Sequence, residues 1–290
     1  MKMENIVVVY KSDNGDMGES LNMLRRAVDG AAECDGITNV RYIPRERLLE
    51  KDTRNAFIIV AGGDGTLLGA AHRILDNYST VLGVRLSRNS RGYYTPIDVD
   101  SLLSFMGAVL EGKEGETYTV ERLPRLECVM RTDEGNWVKT ALALNEFFIG
   151  NTCAYYPAKY RIRCKGFNEW QRSSGLLVST EHGFSGWAKW SCDLNARRNL
   201  MREWGGKGQK MFVKVREPME RCEHVSFMVD QGNNEKLEIS SDMHRGMVVP
   251  DSFDEYHFNR GTKIEVRVSD SPLNVIRPIN ISTRKTMQER

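Results

Sequence analysis

Apolar positions along this chain follow two different rhythms. Residues 6–10 form an unbroken, valine-rich apolar run, the pattern of a strand buried on both faces of a parallel sheet. A polar, glycine-containing loop over 11–18 follows, and then Leu21, Leu24, Val28 and Ala31 fall at helical spacing. Gly36 breaks the chain, residues 40–43 read as a second strand closed by Pro44, and residues 57–60 as a third. That third run passes through Ala61 directly into Gly-Gly-Asp-Gly-Thr at 62–66, beyond which Leu67, Ala71, Ile74 and Leu75 make a helical stripe. Residues 81–86 are another strand. Strands alternating with helices predict a doubly wound α/β domain.

The rhythm changes near residue 118. Leu126, Cys128 and Met130 alternate with polar neighbours, and Glu134-Gly135-Asn136 reads as a hairpin turn leading to Trp137 and Val138. Further strand-like runs lie at 160–164, 176–179, 212–215, 225–229, 237–239 and 264–268, with a second hairpin signal at 232–234. One helix is expected near 186–200, and another over 102–110 as a link between the two parts. The second part reads as a β-sandwich.

Composition narrows the class without naming a chemistry. The chain has 290 residues, 40% hydrophobic and 28% charged, which excludes disordered and fibrous classes. Its 41 basic and 39 acidic residues leave a net charge of +2. That balance gives no support to nucleic-acid binding, which needs a clustered basic face. The six cysteines include no C-x-x-C pair, so neither a zinc site nor a disulfide framework is expected, and reduced thiols in a cytoplasmic protein fit best. No apolar run reaches the ~18 to 20 residues that a membrane helix needs.

The segment at 62–66 carries the strongest chemical signal. Glycines let a backbone turn tightly and approach a ligand, and N–H groups at a helix start attract anions. The site falls at the carboxyl end of a strand, where α/β sheets bind ligands. Asp64 is the one acid in the loop. Beside bound phosphates it suits either acceptance of a proton from an attacking hydroxyl or a hold on Mg²⁺.

At these residues the sequence resembles a superfamily of kinases with a Gly-Gly-Asp-Gly-Thr loop, including NAD kinases, diacylglycerol and sphingosine kinases and phosphofructokinases. Three more segments narrow the resemblance to NAD kinases. Ala143-Leu144-Asn145-Glu146 is similar to their Asn-Glu motif. Val81-Leu82-Gly83-Val84, with Arg91-Gly92-Tyr93-Tyr94-Thr95, is similar to their strand and Gly-aromatic loop. Ser173-Ser174-Gly175-Leu176, continuing to Trp187, resembles their second glycine-rich loop, in the form carried by the mitochondrial-type branch. The resemblance covers about residues 57–190, with weaker echoes at Asp230 and 273–278.

The resemblance implies a Rossmann-like N-terminal α/β domain over 1–110, completed by 275–290, and a C-terminal β-sandwich domain over 111–274. It implies transfer of the γ-phosphate of ATP, with Mg²⁺, to the adenosine ribose 2′-hydroxyl of NAD, giving NADP. Asp64 takes the catalytic position, and Gly62, Gly63, Gly65 and Thr66 the phosphate loop. Asn145 and Glu146 match the pair holding the acceptor's adenosine, with Tyr93 packing near it. Thr180, His182, Gly183, Ser185 and Trp187 fall in the second nucleotide loop. A homo-oligomer, a dimer, with ATP and NAD as small-molecule substrates and no nucleic acid or membrane partner, completes the expectation.

The second loop departs from the family. Members commonly read T-P-T-G-S-T-A-Y, or T-G-T-G-S-x-A-W in the mitochondrial type. Here Glu181 and His182 replace small residues, and Phe184 replaces a small hydroxyl. Bulk placed there leaves open a same-fold kinase acting on another hydroxyl, of a nucleoside metabolite or a lipid, or a non-catalytic nucleotide-binding protein. Arg85, Arg88, Arg91 and Arg172 are further candidates for phosphate contacts, weighed against solvated surface roles.

Overall fold

The computed structural model describes residues 5–12, 18–86, 90–132, 134–192, 194–204 and 209–279. Arg88, most of the 11–18 loop and the segment after Ile279 lie outside the described residues. The described residues divide into two compact units: one runs to Arg122 and takes in the segment from Leu273, and the other is Leu123–Pro272.

In the first unit the elements are β1 (Asn5–Tyr10), α1 (Gly18–Cys34), β2 (Asn39–Pro44), α2 (Glu50–Thr53), β3 (Phe57–Gly62), α3 (Asp64–Ala71), β4 (Thr80–Arg85), β5 (Ile97–Asp98), α4 (Leu102–Leu110) and β6 (Tyr118–Leu123). The sheet runs β2-β1-β3-β4, then the strand Leu273–Pro278, then β6, with β5 beside β4. The β1–β3 and β3–β4 pairs are parallel. Because both faces of β1 and β3 are covered, their apolar runs are continuous, and Ile6, Val7, Val8, Ile58, Ile59 and Val60 are all fully buried. The helix over 102–110 is more than a link: Leu102, Phe105 and Met106 join Leu24 and Val28 of α1 in one core against the sheet.

The second unit contains β7 (Leu126–Arg131), β8 (Trp137–Lys139), β9 (Glu146–Asn151), β10 (Ala158–Cys164), β11 (Phe167–Ser173), β12 (Leu176–Ser179), α5 (Leu194–Trp204), β13 (Lys210–Val215), β14 (Ser226–Asp230), β15 (Leu237–Ser241), β16 (Gly246–Pro250), β17 (Tyr256–Phe258) and β18 (Lys263–Val268). The strand Leu273–Pro278 of the first sheet is β19. Two six-stranded sheets form, β11-β10-β15-β18-β7-β8 and β14-β13-β12-β9-β16-β17. Alternate residues of both sheets, among them Cys128, Met130, Phe147, Ile149, Ile162, Val178, Val213 and Ile264, pack into one core. This is a β-sandwich built on period-2 alternation.

Two local expectations are corrected. The 232–234 turn is not a hairpin: it carries the chain from β14 in one sheet to β15 in the other. Asp230 accepts the Gly232 N–H at 3.0 Å, and Asn234 takes a left-handed conformation, so the chain turns away from β14. The helix expected near 186–200 starts later, as α5 (Leu194–Trp204), and two 3₁₀ turns, His182–Ser185 and Ala188–Ser191, come before it.

Candidate functional site

The first group of candidate residues lies where β3 ends. Gly62 has φ +157, and a Cβ there would run into the side chain of Thr66. A Cβ on Gly63, the residue before α3, would press on Ser90 Oγ at 3.1 Å. Gly65 is different: it is exposed, and nothing lies within 4 Å of a Cβ placed on it. The packing of the protein therefore explains glycine at 62 and 63 but leaves Gly65 without a structural reason.

Asp64 opens α3, and its carboxylate is engaged by the loop after β4. It accepts the backbone N–H of Tyr94 at 2.8 Å and of Tyr93 at 3.2 Å, and the Thr95 hydroxyl at 3.4 Å. Gly83 makes that approach possible, because a Cβ on this β4 residue would collide with the carbonyl of Tyr94. Tyr94 is buried and packs edge-on against Tyr93, with ring centroids 4.8 Å apart. Arg277 of β19 donates to the Tyr93 carbonyl at 2.5 Å, and its guanidinium lies above both tyrosine rings. Arg85 donates twice to Asp98, at 2.9 and 2.8 Å, so an aspartate already engages its guanidinium. Arg91 is exposed, and Arg172 is a surface residue 3.9 Å from Glu220.

The second group belongs to the sandwich unit, around the start of β9. Asp251 organises it. Its carboxylate accepts the backbone N–H groups of Leu144 and Asn145, each at 2.7 Å, and of Glu146 at 3.2 Å. Its own N–H returns to the Glu146 carbonyl at 2.9 Å. From the other side Thr180 donates its hydroxyl to the Leu144 carbonyl at 2.7 Å and its N–H to the Asn145 carbonyl at 2.8 Å. The backbone of Asn145 and Glu146 is thus clamped from both sides.

The second loop folds directly over this pair. A Cβ on Gly183 would strike Ser179 Oγ and lie 2.6 Å from the Asn145 carbonyl. A Cβ on Gly186 would come within 3.1 Å of the Asn145 amide nitrogen and 3.5 Å of Glu146 Oε2. His182 and Ser185 are half-buried in the same 3₁₀ turn. Trp187 stacks on Phe148 with centroids 5.5 Å apart, and the Arg216 guanidinium covers Trp187 at 4.6 Å. Phe184 turns the other way and packs in a small core with Trp204 and Phe212. The bulk expected in a ligand pocket at 184 is therefore structural.

Glu146 has the most unusual environment of the group. It is only 5% exposed, and among the described residues its Oε2 has no hydrogen-bond partner. Burial, reinforced by the charge of Asp251, pushes its carboxyl up to about 8. At neutral pH it is a protonated acid, offering an O–H donor where an ionised glutamate would only accept. A pocket of about 260 Å³ opens beside it, lined by Glu146, Phe148, Trp187, Met247, Val249 and Phe253. Aromatic walls beside a few polar groups suit a planar ring with hydroxyls attached.

The sequence pointed to Asn145, Glu146, Thr180, Gly183 and Trp187, and the structure gathers these within one unit. Gly62, Gly63, Asp64, Thr66 and Tyr93 are gathered in the other. Asp251, Phe148, Gly186 and Arg277 were not singled out. Asp251 left only a Pro-Asp-Ser turn as a signal, with φ +48 at Asp251 and +63 at Ser252. Among the described residues no cluster of His, Cys, Asp or Glu side chains could hold a metal ion. No described helix is long and apolar enough to cross a membrane.

No protein-family model matches the chain. Among characterised proteins it is 30% identical over 195 residues to the NAD kinase of Acinetobacter baylyi, covering 63% of this chain and 60% of that relative. It is 26% identical over 214 residues to the NAD kinase of Staphylococcus aureus, covering 70% and 76%. Among solved structures, an NAD kinase from Archaeoglobus fulgidus in complex with ATP superposes with a TM-score of 0.69 at 19% identity, over 96% of this chain and 95% of that one. Yeast NADH kinase complexed with NADH gives 0.72 at 15% identity, over 95% and 84%. At such identities the structural likeness is one of fold. The chain is similar to NAD kinases in sequence, and it has their fold.

Proposed function

We propose that this chain, similar in sequence and fold to NAD kinases, transfers the γ-phosphate of ATP to the adenosine ribose 2′-hydroxyl of NAD, giving NADP. The observation that carries this reading is the Asn145–Glu146 pair, clamped by Asp251 and Thr180 and ending in a buried, unpartnered carboxyl oxygen beside an aromatic-walled pocket. A protonated Glu146 can donate to a ribose hydroxyl or ring oxygen while its second oxygen accepts. The Asn145 amide offers a donor and an acceptor to an adenine edge. Phe148 and Trp187 supply a flat apolar wall.

In this reading the 62–66 loop takes the triphosphate. Gly65, which no packing requires to be glycine, leaves backbone room for phosphate oxygens. Asp64, oriented by the N–H groups of Tyr93 and Tyr94, accepts the proton of the attacking hydroxyl. Phosphoryl transfer asks mainly for positioning and charge neutralisation. Mg²⁺ would come as a companion of ATP, because it binds through one or two carboxylates plus substrate phosphates, and Asp64 is the carboxylate that the loop offers. Bound with ATP, it would neutralise phosphate charge.

Phe184 lies in a core, which weakens the case for a different acceptor drawn from the altered loop. The homodimer and the cytoplasmic setting belong to the same proposal, and light scattering at twice the 33.1 kDa chain mass tests the dimer. The decisive assay is purified chain with ATP, Mg²⁺ and NAD, coupled to an NADP-specific dehydrogenase. Phosphorylation of a nucleoside or lipid acceptor in parallel reactions, with none of NAD, overturns the reading.

A further inference from the structure

The outer face of the sheet β11-β10-β15-β18-β7-β8 carries a feature that composition could not reveal. Strand register aligns one residue from each of its six strands into a single row: Trp170, Arg161, Ser240, Lys263, Arg131 and Trp137. All six stand on the face away from the core, since the neighbours Ile162, Ile239, Ile264 and Met130 point inward. At strand spacings of about 4.8 Å the row is roughly 24 Å long. It contains three cations and no acid. A tryptophan closes each end, with an arginine guanidinium over its ring: Arg161 is 5.0 Å from Trp170 and Arg131 5.6 Å from Trp137.

The cations of this row are not used within the unit. Among the described residues, Arg161, Lys263 and Arg131 form no ion pair; the next row along the strands carries two acids, Glu238 and Glu265. Glu238 pairs with Arg163 at 3.4 Å, and one row further on Glu127 is held by Lys139 and Arg267. On the other side, Arg172 and Lys159 stand opposite each other, with Glu220 3.9 Å from Arg172 and Asp242 bonded through its N–H to the Lys159 carbonyl. Trp170 and Trp137 remain 51% and 69% exposed, so the arginines leave ring surface for a further stacking partner. Large aromatic surface left in water at both ends of a cationic row has no role in the fold.

We propose that this face binds single-stranded nucleic acid, with phosphates along Arg161, Lys263 and Arg131 and bases stacked on Trp170 and Trp137. A positive track with flanking aromatic platforms matches how unpaired strands are held, by backbone charge and sequence-tolerant stacking. A duplex keeps its bases stacked on one another and offers the tryptophans nothing. The net charge of +2 gave no hint of this, because the basic residues become a cluster only through strand register.

The test uses the full chain and a fluorescein-labelled oligothymidylate of about 12 nucleotides, followed by anisotropy and tryptophan quenching. Saturable binding is expected, undisturbed by excess ATP and NAD, which separates this face from the nucleotide site. Trp137→Ala and Trp170→Ala are each expected to weaken binding roughly five- to hundredfold. Lys263→Ala should reduce the slope of log K against log salt by about 0.7. Thermal melting of each variant is measured alongside, and surface substitutions of this kind leave it unchanged. Absence of binding at low salt overturns the proposal. So do equal affinity for duplex DNA, preference for an acidic peptide, binding insensitive to both tryptophan variants, or displacement by ATP.

Discussion

Asp64 both faces the proposed chemistry and holds a loop in place. The sequence marks it as the one acid of a glycine-rich loop, and both of its oxygens accept backbone N–H groups, from Tyr93 and Tyr94. Asp64→Asn keeps one acceptor oxygen but turns an NH₂ group toward the other N–H. The variant is expected to lose about 10²- to 10⁴-fold in kcat as a general base is removed. It should also melt a few degrees lower, since an N–H loses its acceptor. Coupled-assay kinetics and thermal melting read the two effects separately, and unchanged turnover would leave Asp64 a structural tie only. Glu146 gives a pH signature. Its carboxyl is raised by burial first and by Asp251 second, to about 8, well above the ordinary carboxylate range. A group raised in this way favours the fold fully at low pH and loses that contribution as pH rises through about 8. Glu146→Gln mimics the neutral acid, so its melting temperature should gain on the wild type as pH climbs from 5 to about 9. Parallel melting curves across that range would show that Glu146 titrates normally.

Glycines that look alike in sequence separate at the scale of the turn. Gly65→Ala meets open space in a helix, where alanine is better than glycine by about 1 kcal/mol. It should melt no lower than the wild type while kcat/KM falls at least tenfold, because the added methyl occupies room proposed for phosphate. Gly183→Ala collides with Ser179 and the Asn145 carbonyl and should lower the melting temperature itself. If the two variants behaved alike in both measurements, the division between packing and ligand glycines would be wrong. Much of this was legible in the sequence. The valine run of β1, the passage of β3 into the turn, and the alternation in β7, β10 and β18 follow from burial on both faces or on one. What stayed hidden depends on distant partners. Asp251 reaches back more than a hundred residues to clamp Leu144 and Asn145, and nothing near it in sequence marks that reach. Phe184 read as pocket bulk because Trp204 and Phe212, which bury it, come later in the chain. The turn at 232–234 had hairpin residues, but sheet membership is decided by the strands on either side.

For the whole molecule, the position of β19 governs when the first sheet can exist. This strand is the last described element, yet it lies between β4 and β6 and supplies Arg277 to the Tyr93 carbonyl. On a ribosome, every residue of the sandwich unit is made before the strand that joins β4 to β6. The 62–66 loop and its Asp64 tie therefore mature after the sandwich unit, although they are encoded early. A chain ending at Pro272 should keep a folded sandwich and present a first unit open to proteases. Limited proteolysis with mass spectrometry reads this directly: early cuts within residues 1–122 and protection of 123–272 are expected, and equal resistance of both parts would refute it. Synthesis interrupted before Leu273 thus yields a chain without a finished 62–66 loop, so the proposed kinase activity would report that translation reached β19.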